Sequence, residues 1–231
     1  MNNILHEKPD ENITGHRLYC VSLVDNQNIN DKKILDIGCG FGWCELNFLK
    51  RKASHITCTE ISDHDLETIR KYVKNPKVKT VVASALDLPF PDNSFDTVVS
   101  WEVIEHIPVN TEDKMFTEIF RVLKPGGVFY LSTPFSHFLS KLFDPAWWLI
   151  GHRHYSKERL VRLGLAHKLN PEIIKIKGGI WEVIFILDLY FSKWLLRRKP
   201  LFSDFLNKKV NIEYKTNGFV GIFVKYQKVN K

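Results

Sequence analysis

Cysteine is scarce in this 231-residue chain: Cys20, Cys39, Cys44 and Cys58 are the only four, all before residue 60. None stands in a Cys-x-x-Cys pair or at a zinc-ligand spacing, so neither a disulfide framework nor a cysteine-built zinc site is expected. Small buried thiols in a reducing compartment are the reading instead. Uninterrupted apolar runs are missing too. The greasiest stretch, GGIWEVIFILDLYFSKWLLRRK, is broken by Glu182, Asp188 and Lys193, whereas a bilayer span wants roughly twenty mostly apolar residues. The start, MNNILHEKPDEN, has no basic end followed by an apolar core, hence no signal peptide. A cytoplasmic location is expected, with the inner membrane face as the surface within reach. Internal repeats and low-complexity segments are absent as well.

What is present is ordinary in bulk and uneven in detail. Apolar residues make up 44% and charged residues 26%, the balance of a globular protein. A single domain over 1–231 is expected, able to bury roughly 70–75% of its unfolded surface. The net charge of +7 sits entirely in the tail: from 188 to 231 there are ten Lys/Arg against Asp188, Asp204 and Glu213, so residues 1–187 sum to zero.

Apolar runs alternate with helical patterns. KKILDIG, HITCTEI, VKTVVAS, FDTVVSW and GVFYLSTP read as strands, and 12–28, 43–52, 62–74 and 111–123 as helices, the last ending at KPGG. Such alternation argues for βαβ units and a doubly wound α/β fold with a parallel sheet covered on both faces. Beyond Pro134 the texture changes. Residues 135–155 are aromatic and irregular and read as a substrate-region loop; 156–168 suits a helix, EIIKIK a strand, 178–213 an aromatic and basic helical insert, and 218–228 a closing strand.

Within LDIGCGFGWCE, three of the chain's twelve glycines (Gly38, Gly40, Gly42) fall in five positions after the first strand. Glycine there permits left-handed backbone and lets a ligand lie against the chain. Glu60 closes the second strand and can accept from both hydroxyls of a ribose. A dinucleotide fingerprint needs G-x-G-x-x-G, but its third glycine position is Trp43, and no Gly-Lys-Ser/Thr phosphate loop follows. Asp36, two residues before the first glycine, suits a ligand carrying an ammonium and a sulfonium better than one carrying phosphates.

LDIGCGFG, the Glu60 strand end, LDLPFPDNSFDTVVSWEVIEHI and the KPGG turn, in that order, resemble the class I S-adenosylmethionine-dependent methyltransferases, type 11 group, related to ubiquinone and menaquinone biosynthesis. The resemblance runs from about Lys33 to Pro134. It implies a seven-stranded, mostly parallel Rossmann-like sheet with the last strand antiparallel, and S-adenosyl-L-methionine as cofactor. Carried over by position, Asp36, Gly38, Cys39, Gly40 and Gly42 form the cofactor loop, Glu60 holds the ribose and Ile61 flanks the adenine. Ser84 and Ala85 stand where the family often places an Asp-Ala pair against the adenine amino group, a departure at Ser84. Trp101 faces the methyl-transfer region, with Glu102 on the acceptor side.

Methyl transfer from a sulfonium relies on holding nucleophile and methyl carbon in line, and needs a general base only for an acceptor protonated at neutral pH. His106, in VIEHIP, and His154, in GHRHYS, are the candidate bases; His152 and Tyr155 are candidate acceptor contacts. His152 and His154 have a metal-pair spacing but no further ligand close in sequence, so no metal is expected. The acceptor is expected to be a small, lipophilic or lipid-linked molecule methylated on oxygen or carbon. Residues 180–200, with Trp181, Trp194 and Arg197–Arg198–Lys199, suit an interfacial helix on an anionic membrane. The rivals are an RNA methyltransferase and a non-catalytic cofactor-binding protein. With no basic–aromatic platform and no Asn/Asp-Pro-Pro-aromatic signature after the fourth strand, DNA is not expected as a partner and RNA is disfavoured.

Overall fold

A computed structural model describes residues 8–198 and 200–229, without the side chain of Trp194. Lys199 of the basic triplet and the whole MNNILHE start therefore lie outside the described residues. In chain order the elements are α1 (Gly15–Leu23), β1 (Lys33–Ile37), α2 (Trp43–Lys50), β2 (His55–Glu60), α3 (Glu67–Tyr72), β3 (Val78–Val82), β4 (Phe95–Trp101), α4 (Glu112–Val122), β5 (Leu123–Pro134), α5 (Phe138–Leu142), α6 (Pro145–Ile150), α7 (Lys157–Ala166), β6 (Leu169–Lys177), α8 (Ile180–Tyr190), α9 (Ser203–Glu213) and β7 (Gly221–Lys228).

The strands form one seven-stranded sheet, ordered β3-β2-β1-β4-β5-β7-β6. β1 through β5 run parallel, and β7 inserts antiparallel between β5 and β6. β1 and β4 are central. Ile34–Ile37 and Val98–Trp101 are buried without a break, as strands covered on both faces require. One apolar layer joins Ile34, Phe48, Ile56, Ile69 and Val99 beneath α1 and α2; the other joins Leu35, Phe116, Ile119, Phe129 and Tyr226 beneath α4 and α7. The strand order reverses between β1 and β4, so the crevice at their carboxyl ends is the place where an open α/β sheet binds ligands.

The differences from the sequence reading lie at element ends. The helix read over 12–28 shortens to α1 and a 3-10 turn at Asn26–Asn28; that over 62–74 divides into a 3-10 turn at His64–Leu66 and α3. The KPGG turn is absorbed into β5, which takes up pairing with β4 already at Leu123 across a register irregularity between Phe95 and Thr97. Residues 135–155 hold two short helices rather than a loop. Asp144 caps α6, accepting from Ala146 N–H at 2.9 Å, with Pro145 in the first turn.

The insert after β6 carries α8, whose end widens to π geometry over Phe191–Leu195, and α9 packed on it. Among the described residues no helix is long and apolar enough to cross a membrane. Glu182 of α8 is buried, and Tyr214 Oη, just past α9, lies 2.7 Å and 2.8 Å from its two oxygens. Burial raises its pKa from 4.5 to about 7, against the lowering influence of His16 and the Tyr214 hydrogen bond. The folded state therefore holds this proton more tightly than the unfolded chain. Stability should fall as pH rises from about 4.5 to about 7 and then level off, by up to ~3 kcal/mol at 1.36 kcal/mol per unit. Urea midpoints at acid and neutral pH check this: Glu182→Gln should flatten the slope, and an unchanged slope refutes the assignment.

Candidate active site

The loop between β1 and α2 is built around three left-handed glycines, Gly38 (φ 74°), Gly40 (φ 56°) and Gly42 (φ 86°). A Cβ at Gly38 would collide with Val103 of the β4–α4 loop, whereas one at Gly40 would meet no atom within 4 Å. Gly40 is thus open where Gly38 is crowded, a cradle that a ligand can enter. Gly38 and Cys39 N–H both donate to Thr59 O (2.9 Å and 3.2 Å), and Gly40 N–H donates to Glu60 Oε1 at 2.7 Å. Glu60 is the half-buried end of β2; burial raises its pKa although the Gly40 bond opposes the shift. Its two oxygens still have acceptor capacity for a diol. Ile61, next in the chain, is 74% exposed beside it.

Asp36 lies beneath this loop at 1% exposure against Cys44 and Glu45, and among the described residues neither of its carboxyl oxygens has a well-formed hydrogen bond. Burial, with the nearby carboxylates Glu45 and Glu60, pushes its pKa well above the carboxylate range. An orphaned buried acid under an open glycine cradle, with a second acid on the neighbouring strand, fits a ligand that joins a cationic amino-acid part to a ribose. The donor set thus fits S-adenosylmethionine. The thiols around it are inert: a hydrogen bond with Cys58 pulls Cys39 down, but burial and the adjacent carboxylates push it up to about 12. All four cysteines are free and buried.

The other expected cofactor residues divide. Ser84 Oγ accepts from Leu86 N–H at 3.1 Å, shaping the turn after β3, and Ala85 packs into the core. Trp101 is 5% exposed in the layer under α1 and α2, its indole N–H without a well-formed hydrogen bond among the described residues. Glu102, the next residue, takes a left-handed conformation (φ 55°) that a non-glycine residue adopts at a cost. Its Oε1 accepts from Ser132 Oγ at 2.6 Å and meets His16 Nε2 of α1 at 3.1 Å. Burial opposes ionisation, but the His16 charge and these bonds hold its pKa down at about 2. His16, the partner that closes α1 over this end of the sheet, gave no signal in the sequence.

The histidines converge from two segments. His106 Nε2, in the loop after β4, lies 3.4 Å from His152 Nε2, past α6. Burial and His152 hold His106 below its ordinary pKa, so it is neutral at pH 7 and able to take a proton. Asp144 Oδ2 bridges His152 Nδ1 (2.9 Å) and His154 Nε2 (2.8 Å). The His154 side chain is fully buried, and its Nδ1 lies 3.1 Å from Phe135 O. Tyr155 is fully buried as well, donating to Glu112 Oε1 (2.9 Å) and Ile104 O (3.0 Å). His106 and His152 thus stand together, while His154 and Tyr155 serve the framework behind them.

Arg153, between the two histidines, is the organiser that sequence reading passed over. Its guanidinium donates to the carbonyls of Ile104, Glu105 and Ile107 and to Glu112 Oε1. One planar fork with five donors thereby fixes the 104–107 loop against 152–155. Its only sequence signal was a cation inside an aromatic, histidine-rich segment.

Residues 35–131 match the type 11 family described as a methyltransferase domain. A sterol 24-C-methyltransferase of Gibberella zeae is 35% identical over 128 residues, 53% of this chain and 32% of that protein. A 2-methyl-6-phytyl-1,4-hydroquinone methyltransferase of Oryza sativa is 35% identical over 120 residues, 51% of this chain and 36% of that protein. The chain thus spans about a third of the length of these relatives. Among solved structures, an S-adenosylmethionine-dependent methyltransferase from Mesorhizobium loti superposes with TM-score 0.64 at 15% identity, covering 91% of this chain and 96% of that one. A geranyl diphosphate C-methyltransferase from Streptomyces coelicolor, in complex with Mg2+, geranyl diphosphate and S-adenosyl-L-homocysteine, does so with TM-score 0.62 at 17% identity, covering 90% and 76%. The likeness to class I S-adenosylmethionine-dependent methyltransferases of the type 11 group is borne out. Residues 35–131 are the part that matches a methyltransferase domain, and the sheet is the one that the likeness implied.

Proposed function

We propose that this chain transfers a methyl group from S-adenosylmethionine to a small lipophilic or lipid-linked acceptor. The observation that carries the reading is the pairing of Asp36, unpartnered beneath the open Gly40, with Glu60 at the end of the adjacent strand. The cofactor, when bound, supplies an activated methyl group on a sulfonium. Asp36 would face its cationic amino-acid part, Glu60 its ribose, and exposed Ile61 the adenine. Glu102, ionised through His16 and Ser132, supplies negative charge beside the reacting centre. His106, neutral at pH 7, is placed to take a proton from a hydroxyl acceptor.

Support for a greasy acceptor comes from the surface around the two helical segments. Phe138, Trp148, Leu149 and Ile150 of α5 and α6 are about 70% exposed, and Phe191, Leu195, Leu196 and Phe202 of the insert also face outward. Arg197 and Arg198 lie exposed beside the second group. Apolar side chains flanked by arginines suit an anionic bilayer, where burial of the former and attraction of the latter add. The sterol and hydroquinone acceptors named for the two relatives above are lipophilic as well.

Deuterated-methyl donor incubated with the chain and vesicles of an anionic total-lipid extract, followed by flotation, tests this. Protein and label should both rise with the vesicles. Label confined to the aqueous fraction would remove the lipid-linked acceptor, and label in no fraction of lipid, RNA or small molecules would remove the transferase reading.

A further inference from the structure

Glu105, His106 and His152 bring three ligand atoms within 4.8 Å of one another, from a loop after β4 and a turn after α6. The spacing of the nitrogens is informative. Two imidazole nitrogens bound at about 2.0–2.1 Å to one tetrahedral ion stand about 3.4 Å apart. His106 Nε2 and His152 Nε2 are 3.4 Å apart, which is long for a hydrogen bond between ring nitrogens.

The third atom is independent of that pair. The Glu105 side chain is fully buried; its Oε2 accepts from Thr133 Oγ1 at 3.0 Å, while its Oε1 lies 3.7 Å from His152 Nε2 and has no well-formed hydrogen bond among the described residues. A buried polar oxygen left without a partner is costly, and a cation placed there would satisfy it. Behind His152, Asp144 Oδ2 accepts from Nδ1 at 2.9 Å. That bond puts the Nδ1 proton on the carboxylate side and leaves the Nε2 lone pair directed at His106. A carboxylate that orients a metal-bound histidine from its far nitrogen does the same. Arg153 fixes both segments through Ile104, Glu105 and Ile107, so the three ligands need no ion to gather them.

We propose that Glu105, His106 and His152 form a site for one divalent transition ion of the zinc type, at the acceptor end of the cleft. Two imidazoles and one carboxylate leave the fourth position of a tetrahedral ion for an oxygen of the acceptor. Taken with the function proposed above, on which this part rests, the acceptor class is then a hydroxyl compound. Its O–H, once bound, loses its proton to water more readily; with the ion in place His106 is a ligand and no longer the base. The oxygen lone pair forms the O–C bond to the methyl carbon as the C–S bond breaks, and that electron pair stays on sulfur as a neutral thioether. The absence of a metal expected from the sequence rested on His152 and His154 having no ligand near them in the chain; Glu105 and His106 lie 46 to 47 positions away.

Tag-free, EDTA-treated full-length chain titrated with Co2+ tests the site without any substrate. One Co2+ per chain with visible d–d bands, lost on adding Zn2+, is expected. His152→Asn and His106→Gln should abolish the bands, and Asp144→Asn should weaken binding about 10–100-fold. Because Asp144 also caps α6, melting curves of the metal-free variants separate lost binding from lost folding. Absent bands in the wild-type chain, or bands retained in a folded His152→Asn variant, would overturn the site and leave the pair as a simple hydrogen bond. Donor binding, measured separately by calorimetry on the metal-free chain, rests on Asp36, Glu60 and the glycine loop and not on these three ligands. Its failure would sink the transferase reading without touching the Co2+ result.

Discussion

Replacing Glu112 with alanine is expected to cost about 3–5 kcal/mol of stability, the usual penalty for removing one partner of a buried charged network. Glu112 opens α4 at 3% exposure, and its Oε1 accepts from Arg153 Nη1 (3.0 Å), Arg159 Nη2 (2.7 Å) and Tyr155 Oη (2.9 Å). Arg159 is 40% exposed and can turn to water; Arg153 and Tyr155 cannot. Alanine would leave a buried guanidinium without its counter-ion and the Tyr155 hydroxyl with Ile104 O alone. Against a total of about 5–15 kcal/mol for a domain, that is a large share, and calorimetry should show melting lowered by roughly 10 °C. Glu112→Gln keeps an acceptor oxygen and should lose less. If Glu112→Ala melts within about 2 °C of the parent, the network is ornamental.

The same change has a functional signature. Arg153 holds the 104–107 loop, and with it His106 and Glu105, against the segment carrying His152. Once Arg153 lacks its counter-ion, the acceptor side should loosen while the glycine loop, tied to Thr59 and Glu60, stays. Donor affinity should therefore change far less than acceptor KM. Arg153→Lys should behave similarly, since an ammonium cannot reach three carbonyls and a carboxylate from one plane.

Much of this protein can be read without coordinates, and the boundary is physical. β1 and β4 are legible because strands buried on both faces are apolar throughout. The glycine loop is legible because three glycines in five positions, with Asp36 and Glu60 alongside, point to a ligand lying against the backbone. The acceptor side is not, because its meaning lies in contacts far apart in sequence. Arg153 and Glu112 are 41 positions apart, His106 and His152 46, His16 and Glu102 86. GHRHYS announced histidines, yet the arginine between them does the organising. Tyr155, a candidate contact from its place in that motif, spends its hydroxyl on Glu112 and Ile104 at zero exposure.

Glu60→Ala should weaken S-adenosylmethionine binding about 10–150-fold, the equivalent of about 1.5–3 kcal/mol for a charged hydrogen bond. Glu60→Gln should fall between, since an amide offers one acceptor oxygen and no charge. Asp36→Asn tests the other end and carries a pH signature. Burial and the neighbouring carboxylates raise the Asp36 pKa, so the acid form is favoured in the empty loop, and a cationic ligand must draw its proton off. Affinity should therefore rise with pH until Asp36 is ionised, and level off above that point. Asparagine, never charged, should bind weakly with no such rise, yet fold about as stably, because the acid it replaces is itself favoured in its neutral form in the empty loop. Calorimetric titrations of parent, Glu60→Gln and Asp36→Asn between about pH 6 and pH 9 separate these effects. If the Asp36→Asn variant keeps the parent's affinity and the parent's slope, the acid beneath Gly40 has nothing to do with the donor, and the cradle belongs to another ligand.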